Sequence, residues 1–280
     1  MDENPRVMTT NGPVQGIRQG DVNVFKGLRY AAPPKGELRW KPPVLPEKWT
    51  ETAQATSFGP ACPQQPDKMF GRLKDMDEDC LFLNVWAPKA ASGAPVIVWL
   101  HGGSFVSGKG SQGIFDGYWL AESGAVVVTL NYRLGPFGFL AHPLLTDESE
   151  HGTSGNYGLL DQQMALEWVR DNISAFGGDP GNVSLFGQSS GAISACVHMT
   201  RPQTEGLFHR VLAMSAFVVM GLRELDREFR GLSSMHSKGE EFFENLGVRN
   251  LDEARAVSQE ALLNADKTGD RMAVPPPWKT

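Results

Sequence analysis

Apolar and polar positions alternate over short stretches at the start of the chain and give way to long apolar runs in its middle. Residues 7–30 read as short strands joined at Asn11-Gly12 and Gln19-Gly20-Asp21, which predicts an antiparallel meander. From Ala32 to Pro46, proline and glycine recur too often for regular structure, so a surface loop is expected. Leu81–Trp86 reads as a strand with an acidic lead-in. Pro95-Val-Ile-Val-Trp-Leu100 and Ala125-Val-Val-Val-Thr-Leu130 are unbroken apolar runs, as expected of parallel strands buried on both faces. Between them, Tyr118–Gly124 suits a short crossover helix stopped by glycine. Leu160, Met164 and Trp168, with Ala165, Val169 and Ile173, keep helical spacing up to Gly177-Gly178. Further strands are expected at Val183–Phe186 and Val211–Ser215, and a helix of small and apolar residues at Ala192–Met199. Lys238–Ala265 reads as two or three amphipathic helices, before an abrupt Pro275-Pro-Pro-Trp278. Strands alternating with helices predict a doubly wound sheet with ligands outside the carboxyl ends of its strands.

Within that order, Val183–Phe186 runs straight into Gly187-Gln188-Ser189-Ser190-Gly191 and then into the helix. Strand, G-x-S-x-G and helix in sequence describe a nucleophile elbow. Such a turn holds the central serine at strained backbone angles. A Cβ two residues to either side would collide with a neighbouring element, which calls for Gly187 and Gly191. Ser189 Oγ would then stand above the sheet, with the Ser190 N–H facing the same space. A chance match is the bland alternative, and the flanking strand and helix argue against it.

Composition adds bounds. At 280 residues, 41% apolar and 21% charged, the chain suits one large α/β domain or two ordinary ones. The net charge of −6, with signs mixed, speaks against nucleic acid or an anionic membrane as partner. No apolar run approaches a membrane span, and Met1-Asp-Glu-Asn-Pro-Arg6 has no basic or apolar leader. A cytoplasmic protein is expected, or one whose signal was removed. Cys62 and Cys80 are either a bridge or two idle thiols, and Cys196 reads as a small core residue. Gly103-Ser-Phe-Val-Ser-Gly-Lys-Gly110 fits a phosphate loop, but Gly110 stands where Ser or Thr must bind magnesium. Asn172-Ile-Ser174 and Asn182-Val-Ser184 are glycosylation sequons that neither the helix end nor the strand should expose.

Glu78-Asp-Cys-Leu-Phe-Leu-Asn-Val-Trp86 resembles the second signature of the type B carboxylesterases, the family that includes the cholinesterases. Phe25-Lys-Gly-Leu-Arg-Tyr-Ala31, Asn131-Tyr-Arg-Leu-Gly-Pro-Phe-Gly-Phe-Leu140, Gly155-Asn-Tyr-Gly-Leu-Leu-Asp-Gln162 and Phe176-Gly-Gly-Asp-Pro180 extend the likeness from about residue 12 to about residue 215. The resemblance implies an α/β-hydrolase fold and a serine carboxylesterase acting on small-molecule esters without metal or cofactor. It implies Ser189 as nucleophile and an oxyanion hole from the N–H groups of Gly103, Ser104 and Ser190. Serine at 104 departs from the usual glycine or alanine, which matters only if φ there is positive. The family's cysteine pairing maps onto Cys62 and Cys80. Gln188 replaces the usual glutamate, making a choline-like specificity unexpected. Ser215 falls where the family has a buried serine near the active histidine, though a core hydroxyl is an equal reading.

The acid and histidine of the family's triad follow the serine at distances beyond the 91 residues after Ser189 in this chain of 280. Residues 1–280 are therefore expected to be the N-terminal portion of a single domain with an incomplete sheet. His209 and His236 alone have the right chain order to be a base, and both read as surface residues. A catalytically inactive, cholinesterase-like interaction domain is the alternative to an esterase. A complementing C-terminal chain, or self-association through the exposed sheet edge, is the partner expected.

Overall fold

The computed structural model describes residues 4–66, 71, 73–216, 223–229 and 231–265. The N-terminal meander forms but divides between two sheets. Strands β1 (Arg6–Met8) and β2 (Pro13–Gln15) pair antiparallel across Asn11-Gly12, whereas β3 (Ile17–Gln19) and β4 (Val22–Arg29) pair across Gly20-Asp21. The break falls at Gly16, where a Cβ would lie 2.4 Å from the Val24 carbonyl oxygen, so only glycine lets the chain cross there. The two-residue strand β5 (Ala53–Gln54) joins β2 to complete a small three-stranded sheet. Ala32–Pro46 is irregular as expected, apart from one 3₁₀ turn at Gly36–Leu38.

Five further strands follow: β6 (Phe82–Pro88), β7 (Ala94–Leu100), β8 (Val126–Leu130), β9 (Gly178–Gln188) and β10 (Arg210–Met214). Among the described residues the large sheet has the order β10-β9-β7-β8-β6-β4-β3, parallel from β10 to β8 and antiparallel from there outward. Helices α1 (Tyr118–Glu122), α4 (Tyr157–Asn172) and α5 (Ser190–His198) match the sequence reading. Gly177, at φ 86°, ends the 3₁₀ turn that follows α4. The short helices α2 (Gly135–Phe139) and α3 (Pro143–Glu148) were not legible as helices, being a single turn or little more, each opened by a proline. The tail forms three helices, α6 (Met235–Leu246), α7 (Leu251–Ala256) and α8 (Gln259–Ala265); Pro275–Trp278 lies outside the described residues.

The tail is tied to the N-terminal loop by ions as well as by packing. Arg39 forms a buried, two-bonded pair with Glu78 and donates to the carbonyls of Ala254, Arg255 and Val257, the closing turn of α7. Arg133 and Asp161 make a second buried pair, at 2.7 and 2.8 Å, that fixes the segment after β8 to α4. Removing one member of such a pair strands a charge in the core and costs about 3–5 kcal/mol.

Coverage of the sheet is uneven. One face, with Val98, Leu100, Val128 and Leu185 fully buried, lies under α4 and α5. The other face is covered by α1 only near Trp86 and Val127. On that face the row Trp99, Phe186, Leu212 runs outward across β7, β9 and β10, ending with Leu212 at 55% exposure. Among the described residues β10 pairs with β9 alone, so its outer edge is open. No described helix is long and apolar enough to cross a membrane.

Candidate active site

Ser189 stands between β9 and α5 with φ 54° and ψ −123°, a conformation few L-residues adopt. Its N–H donates to the Met214 carbonyl at 2.9 Å and its carbonyl accepts from Ile193, so strand and helix both hold the turn. The flanking glycines are required by space. A Cβ at Gly191 would sit 2.0 Å from the Leu100 carbonyl oxygen, and one at Gly187 would sit 2.3 Å from that of Gly191. The elbow is thus wedged against the end of β7, where the loop His101–Gly110 begins.

That loop lies directly beside Ser189. A Cβ at Gly102 would come within 3.2 Å of Ser189 Cβ and 2.8 Å of Gln188 Oε1. Gly103, Ser104 and Phe105 follow with φ of 121°, 54° and 60°. Serine at 104 is therefore in the left-handed region, the one circumstance in which its departure from glycine has a cost, of about 1 kcal/mol. The Gly103 carbonyl accepts from the N–H groups of Val106 and Ser107 at 3.0 Å, which closes the loop into a tight turn. Phe105 is buried against Phe139, with ring centroids 5.0 Å apart, and fills the space a phosphate loop would leave for its anion.

Among the described residues the N–H groups of Gly103 and Ser104 donate to no protein acceptor. Ser190 is the first residue of α5, where the N–H has no partner within its own helix. Three main-chain donors thus stand unspent on the elbow and on the loop packed against it.

Several residues not singled out from the sequence hold this arrangement. Tyr132 donates its hydroxyl to the His101 carbonyl at 2.7 Å and stacks on the His101 ring at 4.4 Å. Gln64 grips the far end of the loop, donating to the Gly108 carbonyl at 2.9 Å and accepting from its N–H at 2.7 Å. Asn131 accepts from Gly110 and donates to the Pro60 carbonyl, both at 2.8 Å. Asn131, Tyr132 and Asp161 lay inside blocks that carry the family resemblance; Gln64 had no such signal, because its role depends on a loop folding back over it.

All six histidines are placed, and none is hydrogen-bonded to Ser189. Burial holds His101 neutral, its pKa lowered to about 4, with Nδ1 2.8 Å from the Gly102 carbonyl oxygen. Burial lowers His198 to about 3, and its Nε2 meets Gln162 Oε1 at 3.0 Å. His142 caps α3 by accepting from Leu144, and His236 bonds Thr146 at 2.8 Å. His151 is exposed in a loop. His209 accepts from the Val183 N–H, six residues and about 20 Å of strand away from Ser189.

Ser215 is exposed at φ 55° just past β10, which sets aside its reading as a core hydroxyl. Another expectation is corrected as well: Cys196 is half-buried on α5 and does not belong to the core. Cys62 and Cys80 stand as free, buried thiols close enough to hydrogen-bond, and no bridge joins them in this structure; burial, with Cys62 alongside, pushes the Cys80 thiol well up. Cys62 Sγ also accepts from the Leu134 N–H at 3.2 Å. Asn172 has both ends of its amide bonded inside the protein, so that sequon is not free for modification, whereas Asn182 is half-buried and only its carbonyl oxygen is engaged, by Arg210. Gln188 is half-buried, and its amide has no hydrogen-bond partner among the described residues. Among the described residues no group of three or more metal-binding side chains is present.

An elbow of this kind, a glycine loop against it and a mixed sheet with parallel strands beneath the elbow define an α/β-hydrolase. The carboxylesterase family model matches residues 3–238, and the chain belongs to that family. It is 45% identical over 228 residues to the fumonisin B1 esterase of Sphingopyxis macrogoltabida, covering 80% of this chain and 42% of that protein. It is 44% identical over 266 residues to the para-nitrobenzyl esterase of Bacillus subtilis, covering 92% of this chain and 52% of that one. Among solved structures, a thermophilic para-nitrobenzyl esterase superposes with TM-score 0.87 at 37% identity, over 99% of this chain and 59% of that one. The Geobacillus stearothermophilus carboxylesterase Est55 gives 0.84 at 37% identity, over 96% and 55%. The chain spans about half the length of the relatives it matches.

Proposed function

We propose that this chain is the nucleophile-bearing part of a serine carboxylesterase acting on small-molecule esters. The observation that carries the reading is the trio of unspent main-chain N–H groups, on Gly103, Ser104 and Ser190, around a serine held in a strained elbow. Ser189 Oγ attacks the ester carbonyl carbon. The carbonyl oxygen, gaining charge, is taken up by the three donors, each removal of which is worth about 3–4 kcal/mol of barrier in related chemistry. Collapse of the tetrahedral intermediate expels the alcohol and leaves an acyl-serine that water then hydrolyses.

The serine needs a base, and the base an acid to orient it. With no histidine of this chain bonded to Ser189, both come from polypeptide that extends the sheet beyond β10. Its open edge and the half-covered face at Phe186 and Leu212 are where that polypeptide docks. Relatives twice as long as the match support this reading. The neutral Gln188 amide beside the nucleophile favours esters without a cationic group. Treatment of the completed protein with a fluorophosphonate probe is expected to label Ser189 alone. Undiminished labelling after Ser189→Ala would end the proposal.

A further inference from the structure

Strand β4 breaks its pairing with β6 between Phe25 and Leu28. The Gly27 N–H turns to Asn84 Oδ1 at 2.9 Å, and Asn84 donates in turn to Thr129 Oγ1 at 3.0 Å inside the core. The Lys26 N–H goes instead to the Ala55 carbonyl at 2.9 Å, while the Ala55 N–H bonds the Gln15 carbonyl at 2.8 Å. Residues 53–55 are therefore strung between the small and the large sheet. Bulges of this kind bend a strand away from its partner. At this one a cavity of about 530 Å³ opens along the seam, within the usual size range of small-molecule sites.

Its walls are preformed and apolar. Trp49 is pinned over Gly12, where any Cβ would lie 2.5 Å from the indole ring, and its N–H is committed to the Pro13 carbonyl at 3.0 Å. Phe82 is held between Gly59, whose Cβ would come within 2.4 Å of the ring, and the Arg29 guanidinium 4.5 Å above it. Arg29, the cation of the wall, is already bound through both nitrogens to Asp79. Leu28 and Ala55 complete the floor, and Glu47 stands exposed at the rim. With the one positive charge cancelled and a carboxylate at the mouth, an anion has nothing to meet. Fixed aromatic side chains suit a flat ring.

From this we infer that the seam is a second binding site, for a neutral, flat aromatic molecule. It lies four strands from β9, about 19 Å across the sheet, and nothing in it depends on Ser189. The test is titration of the 280-residue chain with 2-naphthalenemethanol, followed through the Trp49 indole N–H resonance assigned with Trp49→Phe. A saturable shift is expected, unchanged in Ser189→Ala, with 2-naphthoate binding at least tenfold more weakly. Ala53→Phe, which fills the cavity from an exposed wall position, is expected to weaken binding at least tenfold without lowering the unfolding midpoint. No saturable shift up to the solubility limit, equal affinity for 2-naphthoate, full affinity in Ala53→Phe or loss of binding in Ser189→Ala would each overturn the site. Should Ala53→Phe lower the midpoint, the naphthoate comparison on the unaltered chain decides.

Discussion

Strands β8 and β10 are written in similar letters and live in different surroundings. Val-Val-Val-Thr-Leu and Arg-Val-Leu-Ala-Met are both five residues long, both mainly apolar and both parallel to a neighbour. Every residue of β8 is buried, because β7 and β6 flank it and helices cover it. No residue of β10 is, and Leu212 and Met214 are exposed at 55% and 39%. An apolar sequence states what a strand needs; only its neighbours determine whether it gets it. The contrast marks the β10 side as the place where this fold expects more protein, and it can be pressed in several ways.

The largest effect is expected from a charge placed in each strand. Val128→Asp puts a carboxylate into a fully buried position with no partner and should cost more than about 5 kcal/mol, enough to unfold the chain. Leu212→Asp should leave the urea midpoint within about 0.5 kcal/mol, yet lower self-association in sedimentation. Equal destabilisation by the two would erase the contrast.

Next in size is acid. His101 and His198 are buried on the covered side, with pKa values lowered from 6.5 to about 4 and about 3 by loss of solvent. Unfolded, both take up protons near 6.5; folded, they resist. Stability is therefore complete above about pH 6.5 and falls as pH drops toward the folded values, by about 5 kcal/mol in total at pH 4.5. Urea midpoints that stay flat from pH 7 to 4.5 would contradict the burial of these rings.

Most of the fold was legible because the buried strands are apolar on both faces and the helices between them end at glycines. The elbow was legible for a sharper reason: Gly187 and Gly191 are demanded by contacts of 2.3 and 2.0 Å, and such demands show in sequence. What stayed hidden depends on distance along the chain. The split of the meander at Gly16, the clamp of Gln64 on Gly108 and the capture of α7 by Arg39 all join residues whose proximity no local pattern announces. Cys196 was misplaced for a related cause: its helix has apolar letters, but no layer among the described residues buries its outer side.

Smaller effects should sharpen the site itself. Ser104→Gly relieves a left-handed serine and is expected to add about 0.5–1 kcal/mol in urea denaturation. Ser190→Ala removes a buried hydroxyl that lies beside the Tyr132 hydroxyl, and should change stability by no more than about 1 kcal/mol. Because both donors are main-chain N–H groups, neither change should impair ester hydrolysis by the completed enzyme; a tenfold loss would mean that a side chain takes part.

The central claim is that nucleophile and donors are here while base and acid arrive across β10. It is tested by p-nitrophenyl acetate hydrolysis with and without the segment of the Bacillus para-nitrobenzyl esterase that this chain does not match. Alone, the chain should hydrolyse the ester scarcely above background, since loss of a serine–histidine unit costs on the order of 10⁶ in kcat. Adding the segment should raise the rate at least about a thousandfold, and Ser189→Ala should abolish the gain. Turnover by the lone chain above about 1 s⁻¹, an ordinary enzymatic rate, would contradict the account.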